Sequence, residues 1–244
     1  MTSRNKIQSI HDYFPANRYH VDYLVNWSDK LKLIYVETPK VGCTVIKKIL
    51  QYNELDCDES RLPLDVHDRP QSPLKAPNMD EAEFLRCLVS HEYFKFAFVR
   101  NPITRVLSAY LDKIVGTVGT INPSQKELGI NPFEHIPTFP EFVDLIYKQK
   151  LSDMNVHWAP QTFLMGINNV RYDYLGRFEH FEQSINHLVS KNRLKIPSDK
   201  ITFGREHATN AGEVVNKHYT NSALGRVHEI YYEDFKCLGY GWSL

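Results

Sequence analysis

Residues 38–44, with the sequence TPKVGCT, combine residue types that bind a phosphate group. Gly42 allows a tight turn and a close approach of the backbone to a ligand. Lys40 supplies a positive charge, and Thr44 supplies a hydroxyl donor. If a helix begins here, its first unpaired N–H groups add further donors. The segment therefore predicts an anion site, although it is not a Walker A loop, and an ordinary strand-to-helix turn is the alternative.

A second candidate anion site lies in residues 98–110, with the sequence FVRNPITRVLSAY. Arg100 follows an apolar run, and Ser108 lies on the helix expected after Pro102. A guanidinium can bind two phosphate oxygens at once, and a serine hydroxyl can bind a third. Arg105 and Ser108 are three residues apart and share a helix face. We expect Arg100 and Ser108 to converge on one phosphate, the alternative being a surface arginine and an ordinary helix serine.

The two candidate sites are placed by alternating strand and helix patterns. Apolar runs predict strands over 31–38, 95–99 and 170–178. Helices are predicted over 44–52, from Asp80 through Val89, from Asn101 through Ile114, from Thr138, from Phe181, and finally through Leu224 to Tyr231. This alternation predicts an α/β fold with a parallel sheet. We expect residues 1–30 to form a docking arm, and 53–79 and 116–137 to be loops.

Composition narrows the classes of function. The 244 residues carry 29 Lys and Arg against 29 Asp and Glu, so the net charge is zero and binding to nucleic acid through bulk charge is excluded. The four cysteines form no CxxC pair, and no zinc-binding spacing occurs, so neither a metal nor a disulfide framework is predicted. No apolar run reaches the roughly 18 residues needed to span a bilayer. The first 20 residues also lack the apolar centre of a signal peptide.

Read together, the two sites resemble the donor-binding motifs of sulfotransferases. PKVGCT is similar to the 5′-phosphosulfate motif and RNPITRVLSAY to the 3′-phosphate motif, in the same chain order. HWAPQ (157–161), YDYLGRFEHF (172–181) and IYYEDFKCLGY (230–240) resemble segments of carbohydrate sulfotransferases. The chain is thereby identified as a member of the family that includes the chondroitin and dermatan 4-O-sulfotransferases, sulfotransferase family 2.

The resemblance implies a fold, a donor and a set of binding residues. The fold would be one domain over 1–244, a P-loop-like three-layer sandwich with a central parallel sheet flanked by helices. The donor would be 3′-phosphoadenosine 5′-phosphosulfate (PAPS), the product 3′-phosphoadenosine 5′-phosphate (PAP), and no metal would be needed. The residues around the 5′-phosphosulfate would be Pro39, Lys40, Val41, Gly42, Cys43 and Thr44. Those at the 3′-phosphate would be Arg100 and Ser108.

The catalytic residues follow from the same resemblance. Lys40 would stabilise the bridging oxygen of the donor as it leaves. The acceptor hydroxyl needs a base, for which His157 in HWAPQ is the first choice and His91, just before the second apolar strand, is the next. Glu92 is a weaker alternative, and His207 is expected in a loop covering the donor. Arg177 and Glu179 are candidates to line the acceptor pocket.

The acceptor is expected to be a hydroxylated glycan or glycolipid, with a small hydroxylated metabolite as the alternative, and the sequence does not specify an oligomeric state. A small-molecule kinase of the P-loop type and a non-catalytic nucleotide-binding module remain as alternatives. The segment after His157 has Met165 and Gly166 where the animal enzymes carry cysteines. This departure, with no anchor in the sequence, favours a cytoplasmic bacterial enzyme. A Golgi-type catalytic domain without its anchor is the alternative.

Overall fold

The computed structural model describes residues 9–116, 120–197 and 211–244. Four strands form one sheet in the order β1 (Val25–Ser28), β2 (Leu33–Val36), β3 (Phe94–Val99) and β4 (Tyr174–Arg177). The helices are α1 (Arg18–Leu24), α2 (Cys43–Glu54), α3 (Glu81–Val89), α4 (Pro102–Tyr110), α5 (Pro123–Glu127), α6 (Phe139–Tyr147), α7 (Gln161–Met165), α8 (Phe181–Asn192), α9 (Ala211–His218), α10 (Asn221–Ile230) and α11 (Tyr232–Leu238).

The sheet is mixed. β2, β3 and β4 are parallel neighbours, as the alternation of strands and helices predicts, with Val36 beside Ala97 and Val99 beside Arg177. β1 instead runs antiparallel to β2, with Val25 opposite Val36. The expectation of an entirely parallel sheet is therefore corrected at this edge.

Helices bury both faces of the sheet because alternate side chains of each strand point to opposite faces. Ile34 and Val36 join a core that includes α3, α4, α6 and the C-terminal helices. Leu33 and Tyr35 join the other core, which is built with α2 and α8. The observed architecture is thus an α/β fold with helical layers on either side of the sheet.

The described part of the expected N-terminal arm, residues 9–30, is integrated into the fold. It contains α1 and β1, and the side chains of Phe14, Val21 and Trp27 are buried in the core. Trp27 also exchanges backbone hydrogen bonds with Lys75. This segment therefore supplies a sheet edge where a docking arm was expected.

The two segments expected to be loops contain short ordered pieces. Residues 53–79 include 3₁₀ turns at Glu59–Arg61, Arg69–Gln71 and Pro77–Met79. Residues 116–137, described except at 117–119, include α5, whose amino end is capped by Asn122. The expectation of an unbroken loop over 116–137 is corrected by this helix. Division of the chain into a single domain stays a prediction.

Most predicted helix boundaries are confirmed. Asp80, Asn101 and Thr138 precede helices and interact with their first turns. After Tyr110 the backbone continues as a π-helical turn, Leu111–Val115, in place of the predicted α-helix. The predicted last helix ends at Ile230, and α11 follows it as a further helix.

Candidate functional site: two strand-to-helix corners at one sheet edge

The two predicted anion sites meet at the carboxyl edge of the sheet. Since β2 and β3 are parallel neighbours, the loops leaving Val36 and Val99 emerge at the same edge. A guanidinium nitrogen of Arg100 donates a hydrogen bond to the carbonyl oxygen of Lys40 at 3.2 Å. The two motifs, sixty residues apart along the chain, are therefore in direct contact.

The first corner, residues 37–44 from the end of β2 to the start of α2, has a strained backbone. Gly42 caps α2 with φ +86°, a conformation that side-chain-bearing residues rarely adopt. A Cβ at this position would also lie 2.5 Å from the ring of Phe181. Lys40 has φ +76°, which is uncommon for a residue other than glycine. Such strain is often stored at ligand sites.

Lys40 is half-buried, and its neighbours along the chain, Pro39 and Val41, are buried. Its Nζ lies 3.2 Å from Oδ2 of Asp112, which comes from the π-helical turn. Nζ of Lys113 lies 3.1 Å from the same carboxylate oxygen. Burial lowers the pKa of Lys40, and the Asp112 carboxylate opposes that shift. Lys40 and Lys113 therefore share the single negative charge of Asp112, and this group of three side chains has a net positive charge that an anion could neutralise.

Cys43 and Thr44 begin α2 and have different environments. The Cys43 thiol is buried and donates to the carbonyl oxygen of Thr38 at 3.2 Å. Burial raises the pKa of this thiol to about 12, so it stays protonated and is no nucleophile. Thr44 is exposed, and its Oγ1 lies 3.1 Å from Nε2 of His67. His67 belongs to the segment 53–79 and was not predicted at this site.

Arg100 lies in the second corner, residues 100–104 from the end of β3 into the first turn of α4. Its side chain is nearly buried, lies 4.4 Å from the ring centre of Phe178, and donates from Nε to Oγ1 of Thr104 at 3.1 Å. Burial lowers its pKa to about 10. Among residues 9–116, 120–197 and 211–244, no carboxylate lies within ion-pair distance of this guanidinium. Ser108 is buried on the following helix, and its contact with a ligand stays a prediction.

Arg105 connects three segments and was not recognised as important in the sequence. Its side chain is fully buried. Nε donates to the carbonyl oxygen of Pro39 at 2.9 Å, and the two terminal nitrogens donate to those of Ala159 and Val156 at 2.8 and 3.1 Å. The helical spacing of Arg105 on the face of Ser108 was the available signal. Arg105 fixes the first corner relative to the segment that carries His157.

His157 lies near Lys40 and Lys113, close enough for both charges to affect it. Its Nδ1 is 2.7 Å from Oδ1 of Asn155, whose Nδ2 donates to Oε2 of Glu127 at 2.7 Å. Because Nδ2 of Asn155 donates to Glu127, the oxygen of the Asn155 amide faces the ring of His157. Nδ1 of His157 is therefore assigned the hydrogen, and Nε2 has the lone pair. Burial, followed by the charges of Lys113 and Lys40, lowers the pKa of His157 to about 3.

His91 is not brought to this site. It precedes β3 in an exposed turn, together with Glu92, whereas the two corners lie beyond the carboxyl ends of β2 and β3. The six residues of β3 separate these positions by roughly 20 Å. The assignment of His91 as an alternative base is corrected on this ground. His207 lies outside the described residues.

The remaining predicted residues act mainly as supports. A terminal nitrogen of Arg177 donates to the carbonyl oxygen of Leu238 at 2.7 Å. Glu179 accepts from the backbone N–H of Asn101 at 2.6 Å and from the hydroxyl of Tyr240 at 3.0 Å. These contacts anchor the C-terminal segment to the second corner, and the expected acceptor-lining role of Arg177 and Glu179 stays a prediction.

A buried carboxylate holds the segment after His157. Gln161 bonds to both the N–H and the carbonyl of Arg100, at 2.9 and 2.8 Å. Asp234 in α11 accepts from the backbone N–H groups of Gln161 and Thr162 at 2.9 and 2.8 Å. Asp234 thus positions α7, which in turn positions Arg100.

The described residues contain neither a candidate metal cluster nor a helix that could span a membrane. Among them, no three His, Cys, Asp or Glu side chains form a group suited to a metal ion. None of the helices in these ranges is long and apolar enough to cross a membrane.

The fold and site define an α/β protein in which two strand-to-helix corners, carrying Lys40 and Arg100, meet at the carboxyl ends of parallel strands. Residues 23–241 match the model of the Sulfotransferase family, and the chain belongs to that family. It is 31% identical to human carbohydrate sulfotransferase 14 over 176 residues, covering 66% of this chain and 44% of the relative.

Human carbohydrate sulfotransferase 9 is 25% identical over 244 residues, covering 92% of this chain and 55% of the relative. Human carbohydrate sulfotransferase 10 is 26% identical over 258 residues, covering 93% and 69%. The chain thus spans about half the length of the first two of these curated relatives. No solved structure gave a significant match.

Proposed function

We propose that the protein transfers a sulfuryl group from PAPS to a hydroxyl of a carbohydrate or glycoconjugate. Membership of the Sulfotransferase family supports this reaction, and the relatives named carbohydrate sulfotransferases support the acceptor class. The finer description of the fold as a P-loop-like three-layer sandwich is part of the same proposal.

The observation that carries the proposal is the state of Arg100. Within the described residues, the nearly buried guanidinium donates to the neutral oxygens of Thr104 and Lys40, and the charge of Glu179 acts on it without forming an ion pair, so a bound anion would complete the compensation of its charge. A phosphate group fits this need because guanidinium donors match its oxygens in pairs. We assign the 3′-phosphate of the donor to Arg100, with Ser108 on the same helix.

The other end of the donor suits the first corner. No side-chain hydrogen bond caps the amino end of α2 within the described residues, so its first N–H groups remain available. Lys40 and the Thr44 hydroxyl flank this helix end. The 5′-phosphosulfate would lie against them and against the backbone of 39–44.

His157 is proposed as the general base. With Nδ1–H donated to Asn155, the lone pair of Nε2 can accept the proton of the acceptor hydroxyl. The low pKa of His157 keeps the ring neutral but makes it a weak base. Bound phosphates would offset the charges of Lys40 and Lys113, and the pKa of His157 would rise toward the useful range.

The donor supplies the sulfuryl group, and the chain provides charge stabilisation and proton transfer. The acceptor oxygen forms a bond to sulfur while the bond from sulfur to the bridging oxygen breaks and PAP departs. Lys40 stabilises the negative charge on that oxygen, and His157 takes the hydroxyl proton.

The test measures transfer of labelled sulfate from PAPS to a panel of glycan acceptors. Arg100→Ala should weaken PAP binding by about 10- to 100-fold, because a charge-assisted hydrogen bond is lost. Lys40→Ala should lower kcat by about 100-fold. Lys148→Ala and Arg86→Ala, at exposed positions, are the matched controls. Activity near the wild-type level in either site variant would contradict the assigned role.

Thermal stabilisation separates the alternative functions. Stabilisation by PAP without metal fits the sulfotransferase, whereas stabilisation by ATP with magnesium alone would point to a kinase. Binding of PAP with no transfer to any acceptor would indicate a non-catalytic module. The relatives named here are human proteins and lend no support to a bacterial cytoplasmic enzyme; a Golgi-type catalytic domain is the better-matched proposal.

A further inference from the structure

A second group of titratable residues lies beside Thr44, outside the predicted motifs. Glu37 follows β2, Lys47 lies in the second turn of α2, and His67 comes from the segment 53–79. Nζ of Lys47 is 2.6 Å from Oε2 of Glu37, and both side chains are almost completely buried. His67 lies between this ion pair and the exposed hydroxyl of Thr44.

The contacts of the ring determine the tautomer of His67. Nδ1 lies 3.4 Å from Nζ of Lys47, and an ammonium group only donates hydrogen bonds. Oε1 of Glu37 is 3.6 Å from Nδ1, beyond hydrogen-bond distance. We therefore assign Nδ1 as the acceptor, which places the hydrogen of the neutral ring on Nε2. Burial, which lowers the pKa of His67, agrees with a neutral ring.

The direction of the next hydrogen bond follows from this tautomer. Nε2 donates to Oγ1 of Thr44 across 3.1 Å, so the threonine oxygen acts as the acceptor. The hydroxyl hydrogen of Thr44 then remains free to point elsewhere. The nearby amino end of α2 is where an anion would be favoured.

We infer that His67 is a positioning residue that orients the Thr44 hydroxyl toward a phosphate or sulfate oxygen of the bound donor. The chain of donors runs from Lys47 through His67 to Thr44 and ends on the anion. This role rests on the proposed function, because it needs the donor at the first corner. It gives the segment 53–79 a part in donor binding.

The test combines substitutions at His67 and Thr44 with calorimetric titration of PAP into the full chain. His67→Ala should weaken PAP binding by about 10-fold, the effect of one oriented hydrogen bond. In a Thr44→Val background, the same substitution should change binding by less than about 2-fold, because its effect passes through the hydroxyl.

Two conservative variants distinguish positioning from support of the fold. The amide of His67→Gln places a donor near the position of Nε2 and should restore most of the affinity. His67→Asn places its amide near Nδ1 and should not. Melting temperatures of all variants identify any that fail to fold, and His67→Gln keeps the test valid if His67→Ala unfolds.

The outcomes separate the inference from the proposed function. Wild-type protein that binds PAP and transfers sulfate, with equal losses from His67→Ala in both Thr44 backgrounds, would overturn the inference alone. Equal affinities of the Gln and Asn variants would do the same. Absence of PAP binding by the wild type would overturn the proposed function and this inference together.

Discussion

The guanidinium of Arg105 donates from Nε to the carbonyl oxygen of Pro39 at 2.9 Å, joining α4 to the loop before α2. The same side chain reaches Ala159 and Val156. The loop before α2, helix α4 and the segment bearing His157 are therefore joined by one buried residue. Its three acceptors are backbone carbonyls that have no access to water, so their satisfaction requires a planar, multidentate donor.

Arg105→Lys is expected to lower the free energy of unfolding by about 2–4 kcal/mol. A lysine keeps the charge but cannot span three carbonyl oxygens. PAP affinity should fall as well, since the Pro39 turn loses its tether. Denaturant unfolding and PAP titration measure the two effects. Arg86→Lys on the exposed face of α3 is the control, and equal stability of the two variants would contradict the proposed tether.

Asp234→Asn tests the carboxylate that supports α7. Oδ1 accepts from the N–H and hydroxyl of Thr162, and Oδ2 accepts from the N–H and side chain of Gln161. An asparagine would place an NH₂ group against two donors on one side. We expect a loss of about 2–4 kcal/mol in thermal or denaturant unfolding.

The adjacent variant Glu233→Gln provides the control for Asp234→Asn, because Glu233 is exposed on the same helix. It should change stability by less than about 0.5 kcal/mol. A similar small effect from Asp234→Asn would mean that the four hydrogen bonds contribute little to the fold.

Sequence reasoning found the elements whose signal is local. The run Leu33–Val36 and the caps Asp80 and Asn101 carry their structure in a few neighbouring residues. β1 was missed because Asn26 and Ser28 are polar, yet both are buried. Asn26 donates to the carbonyl oxygen of Leu24 at 2.9 Å, which satisfies it inside the fold. Such compensation has no pattern in the sequence.

The residues of the candidate site also differ in how far the sequence indicated them. Lys40 and Arg100 stand in recognisable motifs, and the structure places them together. His67 reaches Thr44 from a proline-rich segment 23 residues away, with no periodicity to indicate the contact. His91 was misplaced because proximity to a strand along the chain does not specify which end of the sheet a residue occupies.

Gly42→Ala tests the turn before α2. Alanine at φ +86° is strained, and its Cβ would lie 2.5 Å from the Phe181 ring. We expect a loss of stability of about 2–4 kcal/mol and a large loss of PAP affinity. Gly129→Ala is a matched control because Gly129 has φ +68° but open space around it.

The Gly129→Ala variant should therefore lose only the free energy that it costs to hold an alanine at positive φ, about 1 kcal/mol. Melting temperatures compare the two substitutions directly. Equal losses of stability in the two variants would show that backbone strain alone explains the cost of Gly42→Ala. The contact with Phe181 would then be relieved by movement of the ring.

His157 should make stability depend on pH. Its pKa is about 3 in the folded protein, below the value of about 6.5 expected in the unfolded chain. Between these values the unfolded chain binds more protons, so the free energy of unfolding falls as the pH falls from 6.5 toward 3. The contribution is complete above pH 6.5 and amounts to about 1–2 kcal/mol between pH 7 and pH 5.

His157→Gln should remove that part of the pH dependence, because glutamine does not titrate. Denaturant unfolding at pH 7 and pH 5 gives the difference for each protein. His91→Gln, at an exposed position, should leave the wild-type dependence in place. If His157→Gln showed the same change in the free energy of unfolding between pH 7 and pH 5 as the wild type, the wild-type ring would be protonated in the fold near pH 5. In that case Nε2 would not hold the free lone pair that its hydrogen bond to Asn155 implies.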